Sequence, residues 1–329
     1  MRKEVFIAVI LGAILGLIVA FGVWRANNAL RVVNNTNQPV NNKLQTPSPT
    51  PKSNASFSIA RPQNYEVVVE SPVTVTGLTK PNSLVAIYAD TKDYLSYSSQ
   101  AGEFNIEVGL IGGINNLLIS SEEAIAPLIL VYTTALSLDQ ASASPTPASL
   151  DPVRQKLQEK LDQVSNKPNS YVGTVTDKTE GGIQIKNGSA EIKQITITEA
   201  TSFVHIDGTS KEVKFSDLGI GDYIAAVGYK DTNNLLSAMR VIITTQAEVS
   251  KRKILFGKVT SFSKAQLEVI AGTQKYLIPS NKTLKIYSVD KENSQKAVAF
   301  STIKEGDSIV ALGTLEADKL TPKTIYLLN

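Results

Sequence analysis

The chain has 329 residues, with 33 Lys or Arg against 30 Asp or Glu, a formal net charge of +3, one histidine and no cysteine. Lack of cysteine excludes disulfides, thiol nucleophiles, lipoprotein anchors and the usual Cys/His zinc sites.

Val5 to Trp24 is an unbroken apolar run of 20 residues, with Leu11, Gly12, Gly16 and Leu17 inside it. At 1.5 Å per helical residue it is roughly 30 Å long, enough to cross a bilayer once. Residues 1–25 are therefore expected to form a cytoplasmic tip and a transmembrane anchor helix, with the lipid bilayer as partner. A cleaved signal has a shorter apolar core and a small-x-small site, which Arg25-Ala26-Asn27-Asn28-Ala29 does not offer. Arg2 and Lys3 favour a cytoplasmic N-terminus, although Arg25, Arg31 and Lys43 nearly balance them. The β-rich chain downstream places the bulk outside the cytoplasm, as in a single-pass protein of the cell membrane. Gly12 and Gly16 have the GxxxG spacing of a weak helix-mediated dimer, but glycine is also common in membrane helices.

Residues 26–56 are rich in Asn and Pro and contain no acidic side chain. They bury too little to offset ordering entropy, and a disordered tether is expected. From 57 to 137, short β-favouring runs such as Val73-Thr74-Val75-Thr76, Leu84-Val85-Ala86-Ile87-Tyr88 and Phe104-Asn105-Ile106-Glu107-Val108 alternate with Gly, Pro and Asn turns. That pattern predicts an all-β sandwich. Through Ser71-Pro72-Val73-Thr74-Val75-Thr76-Gly77, Lys80-Pro81-Asn82-Ser83, Ala101-Gly102-Glu103-Phe104 and Gly112-Gly113-Ile114-Asn115-Asn116, the stretch resembles the bacterial immunoglobulin-like domains of cell-surface proteins. Residues 138–150 read as a Pro/Ser/Ala linker. Asp151 as N-cap, Pro152 at the first helical position, and Val153, Leu157, Leu161 and Val164 on one face predict a short amphipathic helix over 151–166.

The remainder repeats itself at an offset of 84–85 residues. Gly173 matches Gly257, and Leu218-Gly219-Ile220-Gly221-Asp222-Tyr223-Ile224 matches Ile303-Lys304-Glu305-Gly306-Asp307-Ser308-Ile309. Gly228 likewise matches Gly313. Two modules follow, 170–247 and 254–329, each of short strands most easily stabilised by curling into a barrel without open edges. The L-x-x-G-D-x-[IV] phrase resembles a family of duplicated, OB-like β-barrel domains of unknown function in predicted bacterial envelope proteins. That resemblance implies no catalytic residue. In each Gly-Asp pair the glycine is expected at positive φ in a turn, with the aspartate capping nearby donors. A ligand-contact role for Asp222 and Asp307 is the alternative.

Candidate chemistry is sparse. His205 lies in a strand-like run, and Ser261/Lys264 and Ser301/Lys304 match S-x-x-K without the partner motifs or the helix that chemistry uses. Asp90/Asp93 and Asp231/Asn233/Asn234 could invite Ca²⁺ but lack EF-hand spacing. The first copy is net acidic and the second net basic, so no shared basic face for nucleic acid is implied. The expectation is an all-β chain: a single N-terminal transmembrane helix, an Ig-like sandwich, a short linking helix and two tandem small barrels. No catalytic, cofactor or metal site is expected. The protein would be a non-catalytic, membrane-anchored envelope protein that binds or scaffolds at the cell surface, with wall polymer or another envelope protein as partner. The alternative is a cell-wall glycan enzyme or an accessory carbohydrate-binding protein.

Overall fold

Alternation sets the first elements. In β6 (Glu103–Val108) Phe104, Ile106 and Val108 are buried while Glu103, Asn105 and Glu107 are exposed, the period of a strand with one wet face. β4 (Leu84–Tyr88) is buried at every position, as a continuous apolar run is when both faces of its sheet are covered. The computed structural model describes residues 57–122, 124–134, 167–231, 233–247, 249–290 and 292–328.

β1 (Ser58–Arg61), β3 (Val73–Leu78) and β6 form a three-stranded sheet. Beside it run β2 (Glu66–Val68), β8 (Ile125–Tyr132), β7 (Gly113–Ser121), β4 and β5 (Tyr94–Tyr97), hydrogen-bonded in that order. The inner face of this second layer packs on the first through Val85, Ile87, Phe104, Ile106, Ile119 and Leu130. Burying such a side chain contributes roughly 1.5–3 kcal/mol.

The two repeat copies are built alike. The first contains β9 (Asn169–Thr179), β10 (Gly182–Lys186), β11 (Ile192–Thr196), β12 (Ser202–Asp207), β13 (Thr209–Val213), β14 (Tyr223–Lys230) and β15 (Leu236–Thr244). The second contains β16 (Arg252–Phe262), β17 (Gln266–Ala271), β18 (Gln274–Pro279), β19 (Lys285–Val289), β20 (Gln295–Ala297), β21 (Ser308–Glu316) and β22 (Lys319–Leu328). In the first, β11 and β12 both run parallel to β15, and β14 joins β15 to β9. In the second, β18 and β19 run parallel to β22, and β21 joins β22 to β16. Pairing in each copy thus returns on itself around its own apolar core. Gly228 and Gly313 mark a register shift at the same place in each ring. A Cβ there would collide with the carbonyl oxygen of Ser237 or Thr321 on the neighbouring strand.

Several expectations are overturned. Among the described residues there is no α-helix, only strands and 3-10 turns, and no helix long and apolar enough to cross a membrane. The transmembrane and signal-anchor reading, and with it the single-pass location, therefore has no support. The anchor run Val5 to Trp24 with Gly12 and Gly16, the tether 26–56, the linker 138–150 and the helix 151–166 lie outside the described residues. An Ig-like sandwich followed by two self-contained barrels is corrected as well. One twelve-stranded sheet runs from the first module into the first repeat. The physical reason is the edge of β2, which pairs with β8 on one side and, through Glu66 and Asn169, with β9 on the other. An edge left open there would expose unpaired amides.

The outer face of the β2-β8-β7-β4-β5 layer is covered twice. Ile114 and Val131 pack on Val172, Ala225, Val227 and Ile242 of the first repeat. Leu84, Ala86, Tyr88 and Leu95 pack on Val310, Leu312 and Tyr326 of the second, with Phe256 beside them. The repeat positions correspond at the same 84–85 offset. The same face of each copy is therefore buried on one sheet, side by side, and the three parts form a single body rather than beads on linkers.

Candidate functional site

The seam between the first module and the first repeat opens into a cleft of about 800 Å³, within the size range of ligand sites. One wall is the turn leading into β2. Gln63 donates its backbone N–H to Glu66 Oε2 (2.6 Å), and Ile129 N–H donates to Asn64 Oδ1 (2.8 Å). Tyr65 has a φ of 65°, an uncommon left-handed position for a non-glycine residue. It is held there because its N–H donates to Ile129 O (2.7 Å) and its own carbonyl accepts the Ser170 hydroxyl (2.6 Å). The opposite wall is the β10–β11 hairpin, where Asn187 Oδ1 accepts the Ser189 and Glu191 N–H groups at 3.0 and 2.9 Å.

Tyr171 of β9 lies at the bottom, its hydroxyl donating to Asn234 O (2.5 Å). Two ammonium groups stand over its ring, Lys230 Nζ at 4.7 Å and Lys193 Nζ at 5.8 Å from the centroid. Lys193 pairs with Glu191 (2.9 Å). Hydrogen bonds from Lys193 and Asn187 hold the Glu191 carboxyl below its ordinary range, and the same pair raises Lys193. Burial, then repulsion from Lys193, pushes the Lys230 ammonium below its usual value. Among the described residues Lys230, Arg61 and Lys167 have no carboxylate partner. The cleft therefore combines unpaired cations, amides and one covered aromatic ring. That set can hold an anion and hydroxyl groups.

The residues singled out by sequence lie elsewhere. Gly221 and Gly306 have φ of +98° and +92°. Asp222 Oδ2 accepts Gly219 N–H and Asp307 Oδ2 accepts Lys304 N–H, both at 2.8 Å, so the two aspartates close matching turns. Gly173 and Gly257 sit where neighbouring strands approach closely, at Lys186 O and Ile270 O. His205 is exposed on β12. Asp231 caps its own hairpin through Asn233 and Leu235 N–H. Neither S-x-x-K match lies on an α-helix, the one at Ser301 starting in a 3-10 turn that ends before Lys304.

Asp90 and Asp93 hold the second repeat against the first module. Asp90 forms a short ion pair with Arg252 and accepts Asn116 N–H (2.8 Å). The Asp93 carboxylate is fully buried and accepts Lys323 Nζ (3.0 Å) and the Thr324 hydroxyl (2.7 Å). The Tyr326 hydroxyl donates to Asp93 O at 2.9 Å. Among the described residues no cluster of three His, Asp or Glu is arranged as a metal site. Arg61, Tyr65, Tyr171, Lys193 and Lys230, which make the cleft, carry no motif and are gathered only by folding.

No protein family matches the chain, and no curated protein matches it. Among solved structures it is similar over 81% of its length to domains 5-6 of the S-layer protein SbsC, at 12% identity, 97% coverage of that chain and a TM-score of 0.18. Over 21% of its length it is similar to a carbohydrate acetylesterase from Xanthomonas citri, at 18% identity and a TM-score of 0.20. The chain spans 17% of that esterase. Likenesses this low establish neither fold nor function.

Proposed function

We propose that the protein is a non-catalytic binding and scaffolding protein whose ligand enters the seam between the first module and the first repeat. The cleft carries the reading. It is concave and of ligand size, and its polar groups are cations, amides and hydroxyls, with two carboxylates already hydrogen-bonded, on strands and turns. Its chemistry suits holding a ligand in place more than breaking a bond. The fused body around it supports the same view, because a rigid frame keeps such a site preorganised. The experiment is incubation of the full chain with a panel of polysaccharides and peptides, reading both retention and product formation. Retention of intact ligand is the expected result. Cleavage or group transfer that follows the protein through purification would refute it.

A further inference from the structure

The duplication supplies an internal control for the cleft. The second repeat forms a smaller groove of about 370 Å³ with the first module, lined by Leu255, Phe256, Gln274 and Tyr276 among others. Strand registers fix the correspondence. Ile185 pairs with Lys193 in the first copy as Val269 pairs with Tyr276 in the second. Lys230 pairs with Leu236 as Leu315 pairs with Leu320. Tyr171 corresponds to Leu255 at the 84-residue offset. At the positions of Lys193, Lys230 and Tyr171 the second copy has Tyr276, Leu315 and Leu255. The same fold is thus built without the two lysines, so they are not required to form it.

The placement of Lys230 is also unfavourable in isolation. Lys230 is half-buried and next to a second ammonium, its charged form disfavoured by burial and by Lys193. Arg61 and Lys167 add two more cations at the rim. The only carboxylates lining the cleft are Glu66, bonded to Gln63 N–H, and Glu191, already paired with Lys193. A ligand anion beside Lys230 would relieve that repulsion. Around the cations stand Gln63, Asn64, Asn169 and Ser189, whose amide and hydroxyl groups offer both donors and acceptors. Sugar hydroxyls need both. A peptide would need apolar side-chain pockets, and the aliphatic lining consists of small side chains, Ala60, Val67, Val69, Pro168 and Val172.

The geometry points to an acidic glycan as the occupant, its carboxylate or phosphate seated between Lys230 and Arg61 and its hydroxyls on the surrounding amides. This inference rests on the binding function proposed above.

Calorimetric titration of the full chain tests it, with an oligogalacturonate as the carboxylate-bearing probe and a poly(glycerol phosphate) glycan as the phosphate-bearing probe. A neutral cello-oligosaccharide, polyglutamate and single-stranded DNA complete the panel. Binding of one or both acidic glycans is expected, at least about tenfold tighter than the neutral one, and weakening as salt rises. Lys230→Ala and Arg61→Ala should each weaken it about tenfold, the scale of one lost charge-assisted contact. Lys230→Arg should keep most of it, and Leu315→Lys should leave it unchanged. The exposed Arg61 variant reads the site even if Lys230→Ala fails to fold. Equal binding of the neutral glycan, equal or tighter binding of polyglutamate or DNA, or acidic-glycan binding indifferent to both substitutions would overturn the inference and leave the binding function standing. Cleavage of a probe would instead remove the function on which the inference rests.

Discussion

Asp93→Ala should loosen the second repeat from the first module and lower the stability of the whole body. The wild-type carboxylate is fully buried, with Lys323 Nζ at 3.0 Å and the Thr324 hydroxyl at 2.7 Å. Removing one partner of a buried pair costs about 3–5 kcal/mol, because the other charge is left uncompensated. Lys323 is one-third exposed, still donates to Ala89 O at 2.8 Å and lies 4.8 Å from the centre of the Tyr88 ring. Those contacts place the expected loss near the lower end, about 3 kcal/mol. For a body of this size each kcal/mol shifts Tm by about 2–4 °C, so the fall should be roughly 6–12 °C. Thr324→Val, which removes one neutral donor, should cost about 1–2 kcal/mol. Calorimetry of the full chain reads both. A single transition that moves down for Asp93→Ala is the expected result. A shift under about 1 °C, or a second repeat that melts separately in the wild type, would refute the assignment of Asp93 as the lock between the parts.

Other perturbations probe different links. Gly313→Ala should destabilise far more than Gly306→Ala in urea titration. A Cβ at 313 meets Thr321 and Pro322 backbone, whereas at 306 it meets open space and only the φ of +92° opposes it, a cost of about 1 kcal/mol. Alkaline pH should weaken the fold. Burial, and then the Asp93 carboxylate, hold the Tyr326 phenol well above its ordinary value, and burial raises Tyr88, Tyr171 and Tyr223. The unfolded phenols ionise first, so this stabilisation is complete below about pH 10 and is lost as pH rises above it. Urea midpoints taken between about pH 8 and pH 11 should fall, and Tyr326→Phe should flatten that fall while costing about 1 kcal/mol at neutral pH. Ile220→Ser, at a side chain 72% exposed, should change stability by less than about 0.5 kcal/mol.

What the sequence carried locally, it carried well. The alternation of Phe104, Ile106 and Val108 and the run Leu84 to Tyr88 are strands with the faces their periods imply. Gly221 and Gly306 are in left-handed turns closed by Asp222 and Asp307. What it did not carry is long-range. The pairing of Glu66 with Asn169 leaves no trace in either segment, because an edge that pairs and an edge that faces water share one composition. The repeat faces at Ala225, Val227, Val310 and Leu312 read as ordinary alternation, which says that a face is apolar but not what covers it. Asp93 suggested a hairpin tip open to a cation, and the cation it meets is Lys323, 230 residues away. The cleft was hidden for the same reason. Its one sequence signal is comparative, visible on setting Lys193 and Lys230 against Tyr276 and Leu315.

The burial of both copies on one sheet has a consequence for synthesis. The first module leaves the ribosome early, but Leu84, Ala86 and Tyr88 wait for a partner surface completed only by Tyr326 and Leu328 on β22. Throughout translation of the intervening residues that patch stays uncovered and open to chaperones or to misassociation. Nascent chains arrested before β22 should therefore be the aggregation-prone species of this protein, and its first part to be made is the last to be finished.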